Sequence, residues 1–292
     1  MELQQYTHTK GGLVLYEGPS CLDNQPIVMI ATLSTSNEKT GDMIQTWILR
    51  ADMHPLDAVR QDADESICGQ CQHRGSGAGK NRSCYVVVSQ APSNIWRTWR
   101  AGKYKKLAVS HDNPSSTLWL QNRKLRCGAY GDPAAVPFSL WEVLLTYVSG
   151  WTGYTHQWRT CPPEYSRFCM ASADSEEDAR EAHSLGWRTF RVKDPDSPII
   201  SGEFVCPASQ EQTYRKDCAS CLACAGTRFQ KLGNRAGNVV INVHGSKAKL
   251  SAWKSRNDQI DDSFDNPVGE PVGDLGRTSS GETLRTPIEV LS

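Results

Sequence analysis

Three cysteines at steps of three residues, Cys218, Cys221 and Cys224, form the densest group of metal-binding side chains in the sequence. Their thiolates suit tetrahedral Zn²⁺, which takes soft ligands from a short loop together with one from elsewhere in the chain. Cys206 is the candidate fourth ligand, and His244 is the alternative to it. The spacing therefore predicts a closed structural zinc site, and packing of three small thiols on one helix face is the competing interpretation.

A second group of candidate ligands lies earlier in the chain and contains Cys68, Cys71, His73 and Cys84. Cys68 and Cys71 have the CxxC spacing that supplies half of many zinc sites, and the other two residues can complete the site. Iron–sulfur ligation competes with zinc in both groups, because thiolates also hold such clusters. We predict zinc in each group.

Two aspartates follow predicted strands and are candidates for nucleophilic and acid–base chemistry. Asp132 follows "KLRCGAYG", Asp174 follows "RFCMASA", and His156 ends a strand between them. At the carboxyl ends of parallel strands such side chains can face one pocket, where one carboxylate attacks and the other handles a proton. Each aspartate also has a structural interpretation, because Asp132 precedes Pro133 in a turn and Asp174 precedes a helix start.

The residues around these strand ends can bind a flat ligand such as a nucleic-acid base. Glycines on both sides of Tyr130 would let the backbone approach such a ligand closely. Aromatic rings stack on bases, although each ring here can equally belong to the core. The candidate ligand-binding residues are Gly128, Tyr130, Gly131, Gln157 and Trp158.

Residues 93–106 form a basic segment that contains no acidic residue. Its cations can hold the phosphates of a nucleic acid, and its interleaved aromatic residues predict an amphipathic helix with the aromatics facing inward. A solvated helix face is the alternative of equal weight. The cations are Arg97, Arg100, Lys103, Lys105 and Lys106.

Repeated strand–helix units with short connections dominate the second half of the chain and predict an α/β fold with a parallel sheet. About eight candidate strands fit a TIM-barrel-like architecture, complete or distorted. The zinc-binding loops at 68–84 and 206–224 would be inserted into it.

Capping residues predict the starts of two helices. Ser139 with Glu142 has the capping-box spacing, and Ser175 with Asp178 follows the same logic at the start of a later helix.

The chain divides into three predicted parts. A flexible N-terminus covers 1–11, the barrel-like catalytic domain covers 12–255, and an acidic, Gly- and Pro-rich tail over 256–292 is expected to be disordered.

Composition excludes several classes of protein. The 292 residues carry a formal net charge of zero, so a nucleic acid would have to be held by a local patch. No run of about 18 apolar residues predicts a membrane span, and the segment "MELQQYTHTKGG" lacks an apolar signal core, so we expect a cytoplasmic protein. Gly75 and Gly79 are too close together for a nucleotide-binding phosphate loop, and Asn81 replaces its Ser or Thr.

Four motifs together resemble a known group. "RCGAYGDPAAVP", "GWTGYTHQW", "MASADS…GWRTFRV" and "CPAS…CASCLAC" are similar to phage-encoded proteins that we associate with the DNA 7-deazaguanine transglycosylases, relatives of the tRNA-guanine transglycosylases. The similarity covers roughly residues 124–245. The zinc motif of the tRNA enzymes is Cys-x-Cys-x-x-Cys with a distant His, whereas this chain has Cys-x-x-Cys-x-x-Cys, and the glycine-rich guanine-binding signature is not intact.

The resemblance implies base exchange in DNA on a TIM barrel with structural zinc and without ATP or a redox cofactor. One aspartate would attack the anomeric carbon of an extruded deoxyguanosine, and a 7-deazaguanine base would then displace the enzyme. From their positions at the strand ends, rather than from a shared motif, we expect Asp174 to be the nucleophile, Asp132 the base and His156 the group that orients the base edge; the reverse roles of the two aspartates are the alternative. A phage-encoded enzyme of this kind would act in the host cytoplasm.

Two other functions fit the same residues. An iron–sulfur or radical enzyme would hold a cluster on Cys68, Cys71 and Cys84, although the usual Cys-x-x-x-Cys-x-x-Cys spacing is absent. A non-catalytic, zinc-containing DNA-binding protein would need neither aspartate for its function.

Overall fold

The computed structural model describes residues 11–213, 216–227 and 237–264, which form ten strands and seven α-helices. The strands are β1 (Gly12–Pro19), β2 (Pro26–Thr32), β3 (Ile44–Arg50), β4 (Lys105–Lys106), β5 (Lys124–Tyr130), β6 (Gly150–Thr155), β7 (Met170–Ala173), β8 (Thr189–Lys193), β9 (Glu203–Val205) and β10 (Asn238–Asn242). The helices are α1 (Pro55–Arg60), α2 (Glu65–Cys68), α3 (Ala91–Arg100), α4 (Phe138–Tyr147), α5 (Glu176–Ser184), α6 (Cys218–Cys221) and α7 (Lys247–Phe264).

All ten strands belong to one mostly parallel sheet in the order β4-β1-β2-β3-β5-β6-β7-β8-β10-β9. Strands β1, β2 and β3 pair antiparallel, and every other neighbouring pair is parallel. The predicted α/β class is therefore confirmed. Because β5, β6, β7, β8 and β10 run in the same direction, their carboxyl ends share one edge of the sheet, which is where parallel sheets bind ligands.

The core fills both sides of the central strands. The run Ile27–Ala31 on β2 is fully buried, as expected for a strand covered on both faces. Helix α4 buries Trp141, whose indole N–H donates to the Pro133 carbonyl at 3.0 Å, together with Leu144. Burial of each such large side chain contributes about 1.5–3 kcal/mol, so this helix fixes the loop that follows β5.

The two predicted helix starts differ in outcome. Helix α5 begins as expected, with the Ser175 hydroxyl accepting from the Asp178 N–H at 3.0 Å. The capping box at Ser139 and Glu142 is wrong, because α4 already begins at Phe138 after Pro137 and has no side-chain cap. Proline fixes φ near the helical value, so the chain enters the helix without a hydroxyl cap.

The predicted domain covers residues 12–255, and these limits can be compared with the first strand and the last helix. Strand β1 begins at Gly12, and residues 1–10 lie outside the described residues. Helix α7 continues to Phe264, so the expected start of the tail at residue 256 falls inside a helix, and 265–292 lie outside the described residues. Trp253 on this helix is only 4% exposed, which anchors α7 to the domain.

Among the described residues, no helix has the length and apolarity needed to span a membrane.

Candidate active site

Polar side chains from three neighbouring strands meet at the carboxyl edge of the sheet. Asp132 follows β5, His156 follows β6 and Asp174 follows β7. All three line one cavity of about 330 Å³. This volume lies near the lower end of the range of about 300–1,000 Å³ found for small-molecule pockets.

Asp174 is a buried carboxylate that lies close to two histidines at this edge. Its side chain is 5% exposed, Oδ1 lies 2.9 Å from Nε2 of His73, and Oδ2 lies 3.8 Å from Nε2 of His156. Burial alone would raise the pKa of Asp174, but the two imidazoles and the Arg256 guanidinium outweigh it and hold the pKa well below its usual value. Asp174 is therefore an ionised carboxylate inside the protein.

His73 is held in place by a chain of hydrogen bonds that begins on helix α7. Nη1 of Arg256 donates to Oγ of Ser83 at 2.8 Å, and Ser83 lies 2.8 Å from Nδ1 of His73. Because arginine can only donate, the Ser83 hydroxyl is free to donate to Nδ1. With a neutral imidazole the ring proton is then on Nε2, which donates to Asp174.

Asp132 is fully engaged with the backbone. Oδ1 accepts from the Ala134 N–H at 2.9 Å, and Oδ2 accepts from the His156 N–H at 2.8 Å. Burial raises the pKa of Asp132, and hydrogen bonds from Ala134 and Thr155 and the charge of His156 oppose that rise. Asp132 therefore caps the turn Pro133–Ala135 and fixes His156, which supports the structural interpretation of this residue.

The predicted ligand-binding residues divide between two cavities. Gly128, Tyr130 and Gly131 line the larger cavity, and the Tyr130 hydroxyl is buried there without a hydrogen-bond partner. Gln157 and Trp158 line a neighbouring cavity of about 170 Å³, which also contains His156 and Asp174.

Gln157 and Trp158 both form hydrogen bonds within the protein. Gln157 Nε2 donates to the Cys68 carbonyl at 2.9 Å, and its Oε1 accepts from the Gln70 N–H at 3.2 Å. Trp158 is 3% exposed, its N–H donates to the Ser172 carbonyl at 3.0 Å, and the Arg159 guanidinium lies 3.8 Å from its ring centre. Trp158 therefore belongs to the core.

Cys68, Cys71 and Cys84 line the wall of the larger cavity. Each of the three cysteines is partly buried, and desolvation raises the pKa of each thiol, that of Cys71 to about 12. His73, their predicted fourth ligand, instead contacts Asp174.

One set of three potential metal ligands stands out in the part of the chain that the structure describes. The ligand atoms of His73, His156 and Asp174 all lie within 4.8 Å of one another. Neither cysteine group forms a further set of this kind among the described residues.

The second cysteine group is nevertheless gathered in space. Cys218 and Cys221 lie on α6, Cys224 follows it, and Cys206 follows β9. Burial raises the pKa of Cys206, Cys218 and Cys224, that of Cys218 to about 11, and thiolate charge on a neighbouring cysteine raises each of the three further.

Nearby cations oppose these shifts and favour the thiolate form. Lys39 lowers the pKa of Cys206, and Arg126 and Lys39 lower that of Cys218. The donor set therefore fits a thiolate-bound ion in composition and charge, whereas the thiols are not drawn together to ligand separation. His244 lines the cavity, and its Nδ1 lies 3.2 Å from the Asn242 carbonyl oxygen.

The basic segment lies outside both cavities. Helix α3, the turn after it and strand β4 carry the cations on the surface, and β4 pairs with β1 at the sheet margin. Trp96 and Trp99 are half-buried beneath them, and Lys106 forms an ion pair with Glu17. The cations line neither cavity, and all five of them are exposed: Arg97, Arg100, Lys103, Lys105 and Lys106.

Sequence reasoning missed three residues of the site, namely Ser83, Trp253 and Arg256. Each is distant in sequence from the strand ends and belongs to no recognisable motif. A buried tryptophan and an arginine three residues apart on one helix were the available signal, since this spacing puts both on one helix face.

Comparison of the chain with protein-family models, with curated proteins and with solved structures finds no match.

Proposed function

We propose that the protein is a TIM-barrel-like DNA base-modifying enzyme, which exchanges guanine in DNA for a 7-deazaguanine base through an aspartate-linked glycosyl intermediate. The observation that carries this proposal is Asp174, an ionised buried carboxylate that faces a ligand-sized cavity. Such a group can act as a nucleophile toward an anomeric carbon without a metal or a redox cofactor.

Asp174 is the nucleophile in this proposal. Its Oδ2 attacks C1′ of an extruded deoxyguanosine, the C1′–N9 bond breaks, and its electron pair leaves with guanine. Oδ1 remains hydrogen-bonded to His73, which orients the carboxylate. The result is a glycosyl ester between the DNA strand and the enzyme.

His156 carries the proton in both half-reactions. Its Nε2 is buried, has no hydrogen-bond partner and lies 3.8 Å from Oδ2 of Asp174. It donates a proton to the leaving guanine and then accepts one from the ring N–H of the incoming 7-deazaguanine. The ring nitrogen of that base attacks C1′, the ester bond breaks, and the carboxylate is regenerated. Asp132 is a positioning residue here, because both of its oxygens are occupied by backbone N–H groups.

Two further parts complete the proposal. Zinc would be held by Cys206, Cys218, Cys221 and Cys224, where it would tie β9 to α6 and take no part in the reaction. DNA must present an extruded base, and the exposed cations of the basic segment would hold its backbone away from the cavity. We expect this reaction in the cytoplasm, of the host if the protein is phage-encoded.

Nucleoside mass spectrometry of DNA incubated with the protein and a 7-deazaguanine base tests this function. We expect the wild-type protein to produce a modified deoxyguanosine and a DNA–protein adduct that survives denaturation. Asp174→Asn should produce no modified deoxyguanosine. Asp194→Asn is the matched control, because Asp194 directly follows β8 but does not line the cavity. Exchange that persists in Asp174→Asn would refute the assignment of the nucleophile. A lack of exchange, together with DNA binding that tolerates Asp174→Asn, would favour a non-catalytic DNA-binding protein.

A further inference from the structure

His73, His156 and Asp174 form a ligand set of a kind that the base-exchange reaction does not need. Two imidazole nitrogens and one carboxylate come from three separate segments, namely the loop after α2 and the ends of β6 and β7. The two rings lie edge to face with their centres 5.3 Å apart, so both Nε2 atoms can approach the same carboxylate.

The separations suit one small cation. Metal–ligand bonds of about 2.0–2.2 Å in tetrahedral geometry put neighbouring ligand atoms about 3.4 Å apart. The observed distances from the Asp174 oxygens, 2.9 Å to His73 and 3.8 Å to His156, lie on either side of that value. Since all three ligand atoms lie within 4.8 Å of one another, a reduction of any separation by no more than about 1.4 Å would bring the three groups onto one ion.

His156 provides an independent indication of a missing partner. Its Nε2 is buried without a hydrogen bond, and leaving a buried polar atom unsatisfied is energetically unfavourable. A metal ion between Nε2 and Oδ2 of Asp174 would satisfy this nitrogen.

The groups behind the ligands also suit a metal centre. Metal-bound histidines usually donate their second ring N–H to an oxygen, and Nδ1 of His73 lies 2.8 Å from Oγ of Ser83. When an ion displaces the proton on Nε2, Nδ1 can carry a proton and donate it to Ser83. Asp132 holds the backbone N–H of His156 at 2.8 Å, which limits movement of the second ligand.

We infer that His73, His156 and Asp174 bind one divalent first-row transition-metal ion at the wall of the cavity. Two histidines and a carboxylate suit Mn²⁺, Fe²⁺ and Zn²⁺, and such a three-ligand site leaves coordination positions open toward the cavity. A bound ion would occupy the Asp174 carboxylate and block its attack on C1′. This regulatory consequence rests on the proposed function, whereas the binding itself does not.

Titration of the full chain with Mn²⁺, followed by electron paramagnetic resonance of the free ion, tests the site. Mn²⁺ favours oxygen and nitrogen ligands, so the cysteine groups compete little for it. We expect one equivalent to bind to the wild-type protein and the affinity to fall at least tenfold in Asp174→Asn and in His156→Ala. The isosteric Asp174→Asn guards against a folding failure in His156→Ala, and circular dichroism checks both variants.

His111→Ala is the control, because His111 is an exposed histidine that lines neither cavity and is not part of the ligand set. It should bind Mn²⁺ as the wild type does. The inference is overturned if the wild-type protein binds no Mn²⁺, if Asp174→Asn binds it unchanged, or if Cys71→Ser and Cys218→Ser abolish the binding instead.

Base exchange measured with and without one equivalent of Mn²⁺ separates this inference from the proposed function. Exchange that falls when Mn²⁺ is added supports both, and exchange that is unaffected by bound Mn²⁺ refutes the inhibitory role. If Mn²⁺ binds as expected but no exchange occurs under either condition, the metal site stands and the proposed function fails.

Discussion

Substitution of Gly128 by alanine should destabilise the protein far more than the same substitution at Gly102. Both glycines have a left-handed backbone, with φ of 70° and 68° respectively, so each alanine variant pays a similar conformational cost of about 1–2 kcal/mol. The two positions differ in the space around the added methyl group.

The structure gives the size of that difference. A Cβ on Gly128 would lie 2.6 Å from the carbonyl oxygen of Gly131 and 3.0 Å from Cδ of Pro133, whereas a Cβ on Gly102 meets nothing within 4 Å. The Gly131 carbonyl and the Pro133 ring both belong to the turn around Asp132, so neither can rotate away from the added methyl group. Overpacking of this kind costs about 1–3 kcal/mol, which is the expected excess for Gly128→Ala over Gly102→Ala.

Urea unfolding of the wild type and both variants measures this excess, with the slope m checked for constancy. The urea midpoint should be highest for the wild type, lower for Gly102→Ala and lowest for Gly128→Ala. Only Gly128→Ala should distort the turn that lines the cavity. Equal stabilities of the two variants would refute the reasoning, because they would show that the β5 turn can open without cost.

Two further predictions concern charged groups away from the cavity. Glu203→Ala should destabilise the protein by about 3–5 kcal/mol in thermal or urea unfolding, because it leaves the buried Arg191 guanidinium without the carboxylate that it contacts at 2.7 Å. Glu176→Ala, which removes one partner of an exposed ion pair, should cost under about 1 kcal/mol. Similar losses in the two variants would contradict the view that burial makes the Arg191–Glu203 pair important. Hydrogen bonding to Arg50 lowers the pKa of Asp52, so the ionised carboxylate stabilises the fold above its ordinary pKa, and this stabilisation is lost as the pH falls through the lowered pKa. The difference in the free energy of unfolding between the wild type and Asp52→Asn should therefore become smaller on acidification. A difference that grows on acidification would contradict this linkage.

The fold class followed from local patterns because those patterns reflect short-range physics. The apolar strands, the short connections and the Ser175 cap each depend on residues a few positions apart, and they predicted the parallel α/β arrangement. The placement of Asp132, His156 and Asp174 at one edge followed from strand direction alone. The cap at Ser139 failed because Pro137 already fixes the helix entry.

The residues that contact Asp174 could not be predicted from spacing in the sequence. His73 stands between cysteines in the chain and reads as one of their ligands, yet it contacts a carboxylate 101 positions away. Arg256 lies 173 positions from Ser83. Such contacts depend on how the loop after α2 and helix α7 pack over the sheet edge, and no periodicity in the sequence encodes that packing.

The arginine on helix α7 also sets an order of events during synthesis. Every strand of the sheet has left the ribosome before Arg256 emerges, so the sheet can form while Ser83 and His73 still lack that cation. All of the strands are therefore synthesised at a stage when the carboxylate pocket still lacks the cation that holds Ser83 and His73 in place.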